Sequence, residues 1–341
     1  MRAEGVEQAN NGIGNLGSGE VEKGAASEGA CGEPASNTPT VTRKQLIRLF
    51  VAWLEAIEDV SRKHEFEVAF SGWIDQIVMQ QMPLSKYRIL FLYADRTLSH
   101  SDADRIYRAL TNSAKAKREN EKPVLLILHS PGGYASSAYM IGKMLHEFSP
   151  AGVEIAVPRK AKSAATLLCC SANHVHMGSL SQLGPIDPQL EDGPALGLKA
   201  SIEHLARLAT EYPNATPLFV GYMSERIDPI SLGYCERAAE SAMQYAERLL
   251  KSAHHSCAQE DVEAIARRLT YDYKDHGFVI DKHEAASLFP NGTVVFDAEE
   301  YFLADSLYQD IRVLERIARL KNFTFSFVGS VFDHPCVTST R

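Results

Sequence analysis

The sequence predicts an α/β fold built on a parallel sheet, and two alternating patterns support this prediction. Short apolar runs at Arg88–Tyr93, Val124–Leu128 and Val153–Val157 are typical of strands that are buried on both faces. Helical patterns over Ser101–Lys117 and Ala135–Phe148 separate these runs. Repeated strand, helix, strand units are joined by right-handed crossovers, so we expect the strands to lie side by side in one layer.

The segments on either side of this core differ from it in composition. Residues 1–40 are mostly Gly, Ser, Ala, Asn and Glu, and such a segment buries too little apolar surface to become ordered, which predicts a disordered leader. Helical patterns dominate after about Pro188. They cover Lys199–Ala209, Glu236–Ala253, Val262–Leu269 and Asp297–Leu320. We therefore predict a leader at 1–40, one folded domain at 42–290, and a C-terminal helix and tail at 291–341.

Two apolar patterns mark the ends of the predicted folded part. Near the start, Leu46, Phe50, Trp53 and Ile57 recur at helical spacing and predict a helix that begins near Thr42. Near the end, the run FTFSFVGSVF is apolar and rich in β-forming residues. This run predicts either an edge strand or a contact between copies of the chain.

Composition and charge exclude several classes of function. The chain has 341 residues, with 35 Lys and Arg against 43 Asp and Glu, so its net charge of -8 gives no general reason to bind nucleic acid. No apolar run has the length of a membrane-spanning helix and the N-terminus lacks a secretory signal, so we expect a cytoplasmic protein. The six cysteines show no Cys-x-x-Cys spacing and are expected to be free thiols.

The first motif with chemical potential is HSPGG (His129–Gly133), in which a buried strand leads into a Pro-Gly-Gly turn and then a helix. Two glycines at the end of a strand let the backbone adopt unusual dihedral angles and bring bare N–H groups close to a ligand. An isolated Pro-Gly-Gly sequence is more often a plain tight turn. The motif therefore needs support from a second site element.

Ser163 supplies that support, because it lies between the strand Val153–Val157 and a second helical run. A serine at such a junction is either a nucleophile at the carboxyl edge of the sheet or an N-cap of the helix. Adjacent crossovers would bring Gly133 and Ser163 to the same edge. The amides of Gly133 and Ala164 could then hold an oxyanion while Ser163 attacks a carbonyl carbon, which predicts an acyl-transfer site.

A third stretch, Met177–Gln189, is dense in Gly and Pro and follows a short strand. This composition indicates an ordered loop. We expect the loop to line the cleft beside the predicted nucleophile, so that Gly132, Pro185 and Asp187 contact the substrate. Asp187 has two open interpretations, since it either orients a base or caps a turn.

Three of these motifs resemble a known family. HSPGG (His129–Gly133), AKSAATLL (Ala161–Leu168) and LGPIDPQ (Leu183–Gln189) are similar to the serine dehydrogenase proteinase family. That family belongs to the Clp-protease/crotonase superfamily, which also contains the signal peptide peptidases. Weaker similarity, including HGFVI (His276–Ile280), extends the resemblance over roughly residues 70–290.

The resemblance implies a serine peptidase on a Clp/crotonase-like fold, with repeated ββα units in the core and a helical C-terminal appendage. It places Ser163 at the nucleophile position and the amides of Gly133 and Ala164 in the oxyanion hole. Family members usually read Ser-Ala-Gly at the nucleophile, whereas Ala165 occupies the third position here. The added methyl group either tightens the helix against the cleft or marks a weakened enzyme.

The general base is the missing part of this site, because serine is a poor nucleophile until a base takes its proton. The Clp-type histidine would fall in the region that here reads Ile186–Gln189, and that region contains no histidine. Signal peptide peptidases use a downstream lysine, and Lys199 is the first lysine after Ser163. Burial can lower the pKa of a lysine enough for it to act as a base, although a helix-start lysine is more often exposed. His204 is a lesser candidate.

Other titratable residues favour structural roles. His129 either faces the cleft or is a half-buried strand histidine, and the second is favoured. His174 and His176 alternate along a short strand and point the same way, yet no third ligand stands at a recognisable spacing for a metal. Cys169 and Cys170 are interpreted as core thiols. The sequence thus predicts no metal and no cofactor.

Three functions remain open at the level of sequence. The leading hypothesis is a serine peptidase that cuts polypeptides through an acyl-enzyme. The first alternative is a crotonase-like acyl-CoA enzyme that uses the same two-amide oxyanion hole on a thioester. The second is a catalytically inactive interaction protein of the same fold. A homo-oligomer is expected by analogy with related folds.

Overall fold

Largely apolar strands pair to form a seven-stranded sheet at the centre of the fold. The computed structural model describes residues 41–80, 85–111, 121–187, 189–190, 193–226 and 229–340, and the predicted leader at 1–40 lies outside these residues. The strands are β1 (Arg88–Ala94), β2 (Val124–His129), β3 (Val153–Val157), β4 (Lys160–Ala161), β5 (His174–Met177), β6 (Gln182–Leu183), β7 (Gln189–Leu190), β8 (Gly193–Pro194), β9 (Val294–Phe296), β10 (Phe323–Ser330) and β11 (Cys336–Ser339). The order in the main sheet is β11-β10-β1-β2-β3-β5-β9.

The described helices cover both faces of this sheet. They are α1 (Arg43–Glu55), α2 (Val60–Gln80), α3 (His100–Thr111), α4 (Ala135–Phe148), α5 (Ala164–Cys169), α6 (Ala195–Glu211), α7 (Thr216–Arg226), α8 (Pro229–Ala253), α9 (Gln259–Arg267), α10 (Lys282–Leu288) and α11 (Glu299–Leu320). Helices α3, α4, α5 and α8 contribute to the apolar core on one face. Helices α1, α2 and α11 contribute to the core on the other face.

The period of two along each strand divides the side chains between these two cores. In β1, Leu90 and Leu92 enter the first core, whereas Ile89 and Phe91 enter the second. All seven residues of β1 and all six of β2 are buried. Because both faces are covered, apolar residues dominate β1 and β2 instead of alternating with polar ones.

The pairing of neighbouring strands brings several loops to one edge of the sheet. Strands β1, β2, β3, β5 and β9 pair in parallel. Their carboxyl ends therefore lie along the same edge, and the loops that follow β2 and β3 are neighbours there. The small β4–β6 pair extends this edge in parallel register, with Ala161 opposite Leu183.

The α/β fold with a helical C-terminal part is confirmed. Strand β3 and helix α4 have the predicted bounds, and β1 and β2 are each one residue longer than predicted. Helix α2 was not predicted, because charged residues interrupt its apolar spacing, yet it buries Phe66, Phe70 and Trp73.

The C-terminal run was predicted as an edge strand or a contact between copies, and the structure gives a different answer. It forms β10, which pairs with β1 on one side and β11 on the other, both antiparallel. The reason is aromatic packing: the ring of Phe327 lies 4.7 Å from that of Phe91 and 4.9 Å from that of Phe70. The domain boundary at residue 290 stays a prediction.

Among the helices of the described residues, none has both the length and the apolar composition required to cross a bilayer.

Candidate active site

Ser163 lies in a strained turn between β4 and helix α5. Its backbone has φ 51° and ψ -118°, a combination that residues with a side chain rarely adopt. Such a conformation costs about 1–3 kcal/mol and persists only where surrounding contacts enforce it. The residue stands at the N-cap position, but its side chain makes no capping hydrogen bond. The hydroxyl is therefore not used as a helix cap.

Backbone hydrogen bonds on both sides hold this turn. The amide of Ala165 donates to the carbonyl of Lys162 at 2.8 Å, and the amide of Leu167 donates to the carbonyl of Ser163 at 3.0 Å. Ahead of the turn, the amide of Ser130 donates to the carbonyl of Lys160 at 3.0 Å, and the amide of Lys162 donates to the carbonyl of Ser130 at 3.1 Å. The turn Lys162–Ala165, called the nucleophile turn after the predicted role of Ser163, is thus tied to the strand end that precedes Pro131–Gly133, called the glycine turn.

The two glycines of the HSPGG motif are required by close approach. Gly132 has φ 102°, and a Cβ there would lie 2.6 Å from the carbonyl oxygen of Lys162 and 2.8 Å from Cβ of Ser163. A Cβ at Gly133 would lie 2.3 Å from the carbonyl oxygen of Leu98. Any side chain at Gly132 would push the glycine turn away from Ser163.

The two backbone amides predicted to hold the oxyanion belong to Gly133 and Ala164. Within the part of the chain that the structure describes, neither the N–H of Gly133 nor that of Ala164 has a hydrogen-bonded acceptor. Their neighbours are engaged, since the amide of Gly132 donates to Oγ of Ser130 at 3.1 Å and that of Tyr134 to the carbonyl of Leu98 at 2.9 Å. Gly133 is exposed, so its amide can meet an incoming carbonyl oxygen.

The other predicted substrate contacts are buried rather than open. Gly132, Pro185 and Asp187 all lie below the surface. Gly132 packs against the nucleophile turn, and Asp187 is 6% exposed. Their roles in substrate binding stay predictions.

The predicted base Lys199 lies within helix α6, but its side chain belongs to the part of the chain that is not described. His204 lies on the same helix and is exposed. Within the described residues, the hydroxyl of Ser163 has no hydrogen-bonded partner.

Sequence reasoning missed a histidine that the structure brings to this edge. Nδ1 of His276 lies 3.7 Å from Oδ2 of Asp187, with 31% of the His276 side chain and 9% of the Asp187 side chain exposed. The only sequence signal for His276 was the weak similarity of the HGFVI segment.

Three hydrogen bonds place the segment after His276 beside the nucleophile turn. Nζ of Lys162 donates to the carbonyl of Phe278 at 2.8 Å. Leu183 and Ile280 exchange two backbone hydrogen bonds, of 2.9 and 3.1 Å. Lys162 directly precedes Ser163, and Leu183 is paired with β4, the strand that leads to Ser163. The segment His276–Ile280, called the histidine segment, therefore lies beside the turn that holds Ser163.

Lys162 differs from an ordinary solvated lysine. Burial lowers the pKa of its ammonium group, and the charge of Asp275 opposes this effect. The ammonium group donates a hydrogen bond to the Phe278 carbonyl, and this bond holds the histidine segment in place.

His129 is a buried strand histidine and does not face the cleft. It is 2% exposed, and its ring lies 5.0 Å from that of Tyr93 and 4.8 Å from that of Tyr308. Burial lowers the pKa of His129 to about 3, and the charge of Lys160 acts in the same direction. The imidazole is therefore neutral at physiological pH.

The two histidines of β5 share one carboxylate partner. His174 Nδ1 and His176 Nε2 contact the two carboxylate oxygens of Glu154 at 2.9 and 2.7 Å. A search confined to the described residues finds no group of three side chains able to hold a metal ion. Cys169 and Cys170 are free and fully buried, and burial raises the pKa of both thiols.

These elements define the class of protein: a ClpP-like α/β fold with a strained serine at the carboxyl edge of its sheet. The sequence model of the ClpP-like SDH-type serine proteinases matches residues 39–216, which is more than half of the chain. The chain belongs to this family, and the predicted resemblance to serine dehydrogenase proteinases is confirmed.

Two proteins of Methanocaldococcus jannaschii are similar to this chain, and both are named as uncharacterized. MJ0137 is 26% identical over 211 residues, which are 62% of this chain and 66% of that protein. MJ1495 is 24% identical over 177 residues, which are 52% of this chain and 52% of that protein. The matched region thus spans about two thirds and about half of these relatives.

Solved structures of the 1510-N membrane-bound stomatin-specific protease are also similar. A mutant in complex with a substrate peptide is 15% identical, with a TM-score of 0.39, covering 76% of this chain and 90% of that one. A second mutant is 14% identical, with a TM-score of 0.39, covering 76% of this chain and 94% of that one.

Proposed function

We propose that this member of a serine peptidase family cleaves peptide bonds through an acyl-enzyme on Ser163. The observation that carries the proposal is the strained, uncapped Ser163 turn packed directly against the glycine turn. The fold stores strain at this one serine and leaves its hydroxyl without a structural partner among the described residues. Backbone strain of this kind clusters at catalytic positions.

The chemistry follows from the groups around the hydroxyl. Oγ of Ser163 attacks the carbonyl carbon of the scissile peptide bond, and its proton passes to a base. The carbonyl oxygen becomes an oxyanion, and the amides of Gly133 and Ala164 donate to it. Collapse of the tetrahedral intermediate expels the amine, which takes the proton from the base. Water then hydrolyses the ester and restores the serine.

His276 is the base that the geometry supports best, with Asp187 as the group that orients it. Contact of Nδ1 with the Asp187 carboxylate turns Nε2 to the opposite side of the ring. A carboxylate on this side of the ring stabilises the imidazolium that forms during attack. Lys199 is the competing candidate, and the variants described below separate the two.

Ala165 is compatible with an active enzyme. Its side chain is fully buried in the core beneath helix α5, so the methyl group fills core volume and does not enter the cleft. Its amide closes the nucleophile turn on the carbonyl of Lys162. Of the two sequence interpretations, this packing favours a tightened helix over a weakened enzyme.

The substrate class is polypeptide. An extended chain laid beside the exposed Gly133 would present its carbonyl to the two free amides. We propose a cytoplasmic homo-oligomer that acts without metal or cofactor, as the sequence predicts.

Hydrolysis of a denatured protein by purified variants tests the nucleophile. We expect Ser163→Ala to reduce the rate at least a hundredfold, because the attacking oxygen is lost. Ser61→Ala removes an exposed hydroxyl on helix α2, which carries no proposed site residue, and should leave the rate unchanged. An inert wild-type protein, or a fully active Ser163→Ala variant, would contradict the proposal.

The same assay separates the candidate bases. His276→Gln should reduce the rate at least a hundredfold, whereas His204→Gln, at an exposed helix position, should leave it unchanged. If Lys199→Met is inactive and His276→Gln is active, Lys199 is the base and the assignment of His276 is wrong.

A further inference from the structure

The proposed catalytic groups come from two separate loops, and one buried hydroxyl joins them. Thr166 lies in the first turn of helix α5 and is completely buried. Its Oγ1 donates to the carbonyl of Ala161 at 2.6 Å. The same Oγ1 accepts a hydrogen bond from the amide of Gly184 at 3.0 Å. A single oxygen therefore contacts the strand before Ser163 and the loop that leads to Asp187.

Both hydrogen bonds of Thr166 lie where a displacement would move a proposed catalytic group. Ala161 is the last residue of β4, two residues before Ser163, so its carbonyl sets the entry to the strained turn. Gly184 begins the loop that ends at Asp187, the partner of His276. Loss of the hydroxyl would leave the Gly184 amide buried without its partner, and a buried unpaired donor costs about 1–3 kcal/mol. The loop would shift to reach another acceptor.

We infer that Thr166 is a positioning residue, whose hydroxyl fixes the distance between the nucleophile turn and the loop carrying Asp187. This inference rests on the proposed function, and it adds a residue that touches neither substrate nor the reacting atoms. A residue of this kind acts mainly on the rate of attack, although the loop it holds also carries Pro185 and Asp187, which are expected to contact the substrate. The expected signature is a fall in kcat that is larger than the change in KM.

The test compares three variants by their rate of covalent labelling with a fluorophosphonate. Thr166→Val keeps the shape of the side chain and removes both hydrogen bonds, so labelling should slow at least tenfold. Thr166→Ser keeps the hydroxyl and should restore the rate to within about threefold of wild type. On a peptide substrate, kcat should fall in parallel with labelling and by a larger factor than KM changes.

Thr293→Val is the matched control, because Thr293 is also a buried threonine with one hydrogen-bonded hydroxyl. It precedes β9 at the opposite edge of the sheet, where the parallel strands begin. It should lower thermal stability as Thr166→Val does and leave labelling unchanged. Should Thr166→Val not fold, Thr166→Ala removes the same oxygen without adding a methyl group.

The outcomes separate this inference from the proposed function. If wild type is labelled at Ser163 and folded Thr166→Val is labelled equally fast, the positioning role is wrong and the proposed function stands. If Thr166→Ser fails to restore the rate, the hydroxyl is not the relevant group and the inference is again wrong. If wild type is not labelled, the proposed function is wrong, and this inference, which rests on it, is wrong as well.

Discussion

At the scale of single residues, the site is built by positions where an ordinary side chain would not be tolerated. Gly132 admits no Cβ because the nucleophile turn lies against it, and Ser163 holds a backbone conformation that most residues avoid. The sequence predicted both residues, because a glycine turn and a serine each followed a buried strand. His276 was not predictable in this way, since it lies in a distant loop and meets Asp187 only through tertiary pairing.

A buried histidine predicts how stability depends on pH. The pKa of His129 is about 3 in the folded chain against 6.5 for a free imidazole, so the folded state favours the neutral ring. Its contribution to stability is fully present above pH 6.5 and is lost as pH falls from there toward 3. In that window the free energy of unfolding should fall by up to about 1.4 kcal/mol per pH unit.

Thermal melts measured at intervals of about one pH unit between pH 7.5 and pH 4 check this dependence. His129→Phe keeps an aromatic ring between Tyr93 and Tyr308 and has no proton to bind, so its loss of stability with acid should be smaller. His204→Gln, at an exposed position, should follow wild type. Identical acid profiles for wild type and His129→Phe would contradict the prediction.

At the scale of elements, helix α11 braces the strand that leads to the nucleophile. Arg159 and Lys160 precede Ser163, and Arg159 donates to Asp305 of this helix while lying 4.6 Å from the ring centroid of Tyr308. Lys160 contacts a carboxylate on the loop after β1, which Arg319 of the same helix also contacts at 2.9 Å. The helix lies outside the residues that the family model matches, yet it contacts the residues that lead to Ser163.

Removal of one charge from the contact between Arg159 and helix α11 should slow the reaction more than the small loss of stability suggests. Asp305→Asn leaves the guanidinium of Arg159 without a charged partner. Since 22% of the Arg159 side chain and 21% of the Asp305 side chain are exposed, the expected loss of stability is about 1 kcal/mol. Because Arg159 adjoins β4, we expect fluorophosphonate labelling to slow severalfold in the folded variant.

Asp310→Asn is the control on the same helix. Asp310 has the same 21% exposed side chain as Asp305 but pairs with Arg43 of helix α1, away from the nucleophile turn. It should leave labelling unchanged. Equal labelling of the Asp305 and Asp310 variants would show that α11 does not act on the site through Arg159.

The elements themselves were predictable where periodicity was strong. Strands β1, β2 and β3 were predicted from continuous apolar runs, and helix α4 from its apolar stripe. Helix α2 and strand β9 were missed, because the first mixes charges into its apolar face and the second is only three residues long. Pairing of β10 with β1 joins residues far apart in sequence, which local patterns do not encode.

At the scale of the whole molecule, the first and last parts of the described chain close over one sheet. Helices α1 and α2 pack on strand β10, with the ring of Phe50 lying 5.7 Å from that of Phe325. This aromatic layer covers the face opposite helix α5. The sheet is thereby buried on both sides, and its carboxyl edge carries the glycine turn, the nucleophile turn and the histidine segment together.

The most direct measurement is peptide mapping by mass spectrometry after treatment with a fluorophosphonate. The account predicts one covalent adduct, on the hydroxyl of Ser163, absent from folded Ser163→Ala and strongly reduced in His276→Gln. An adduct on another serine, or no adduct on folded wild-type protein, would contradict it.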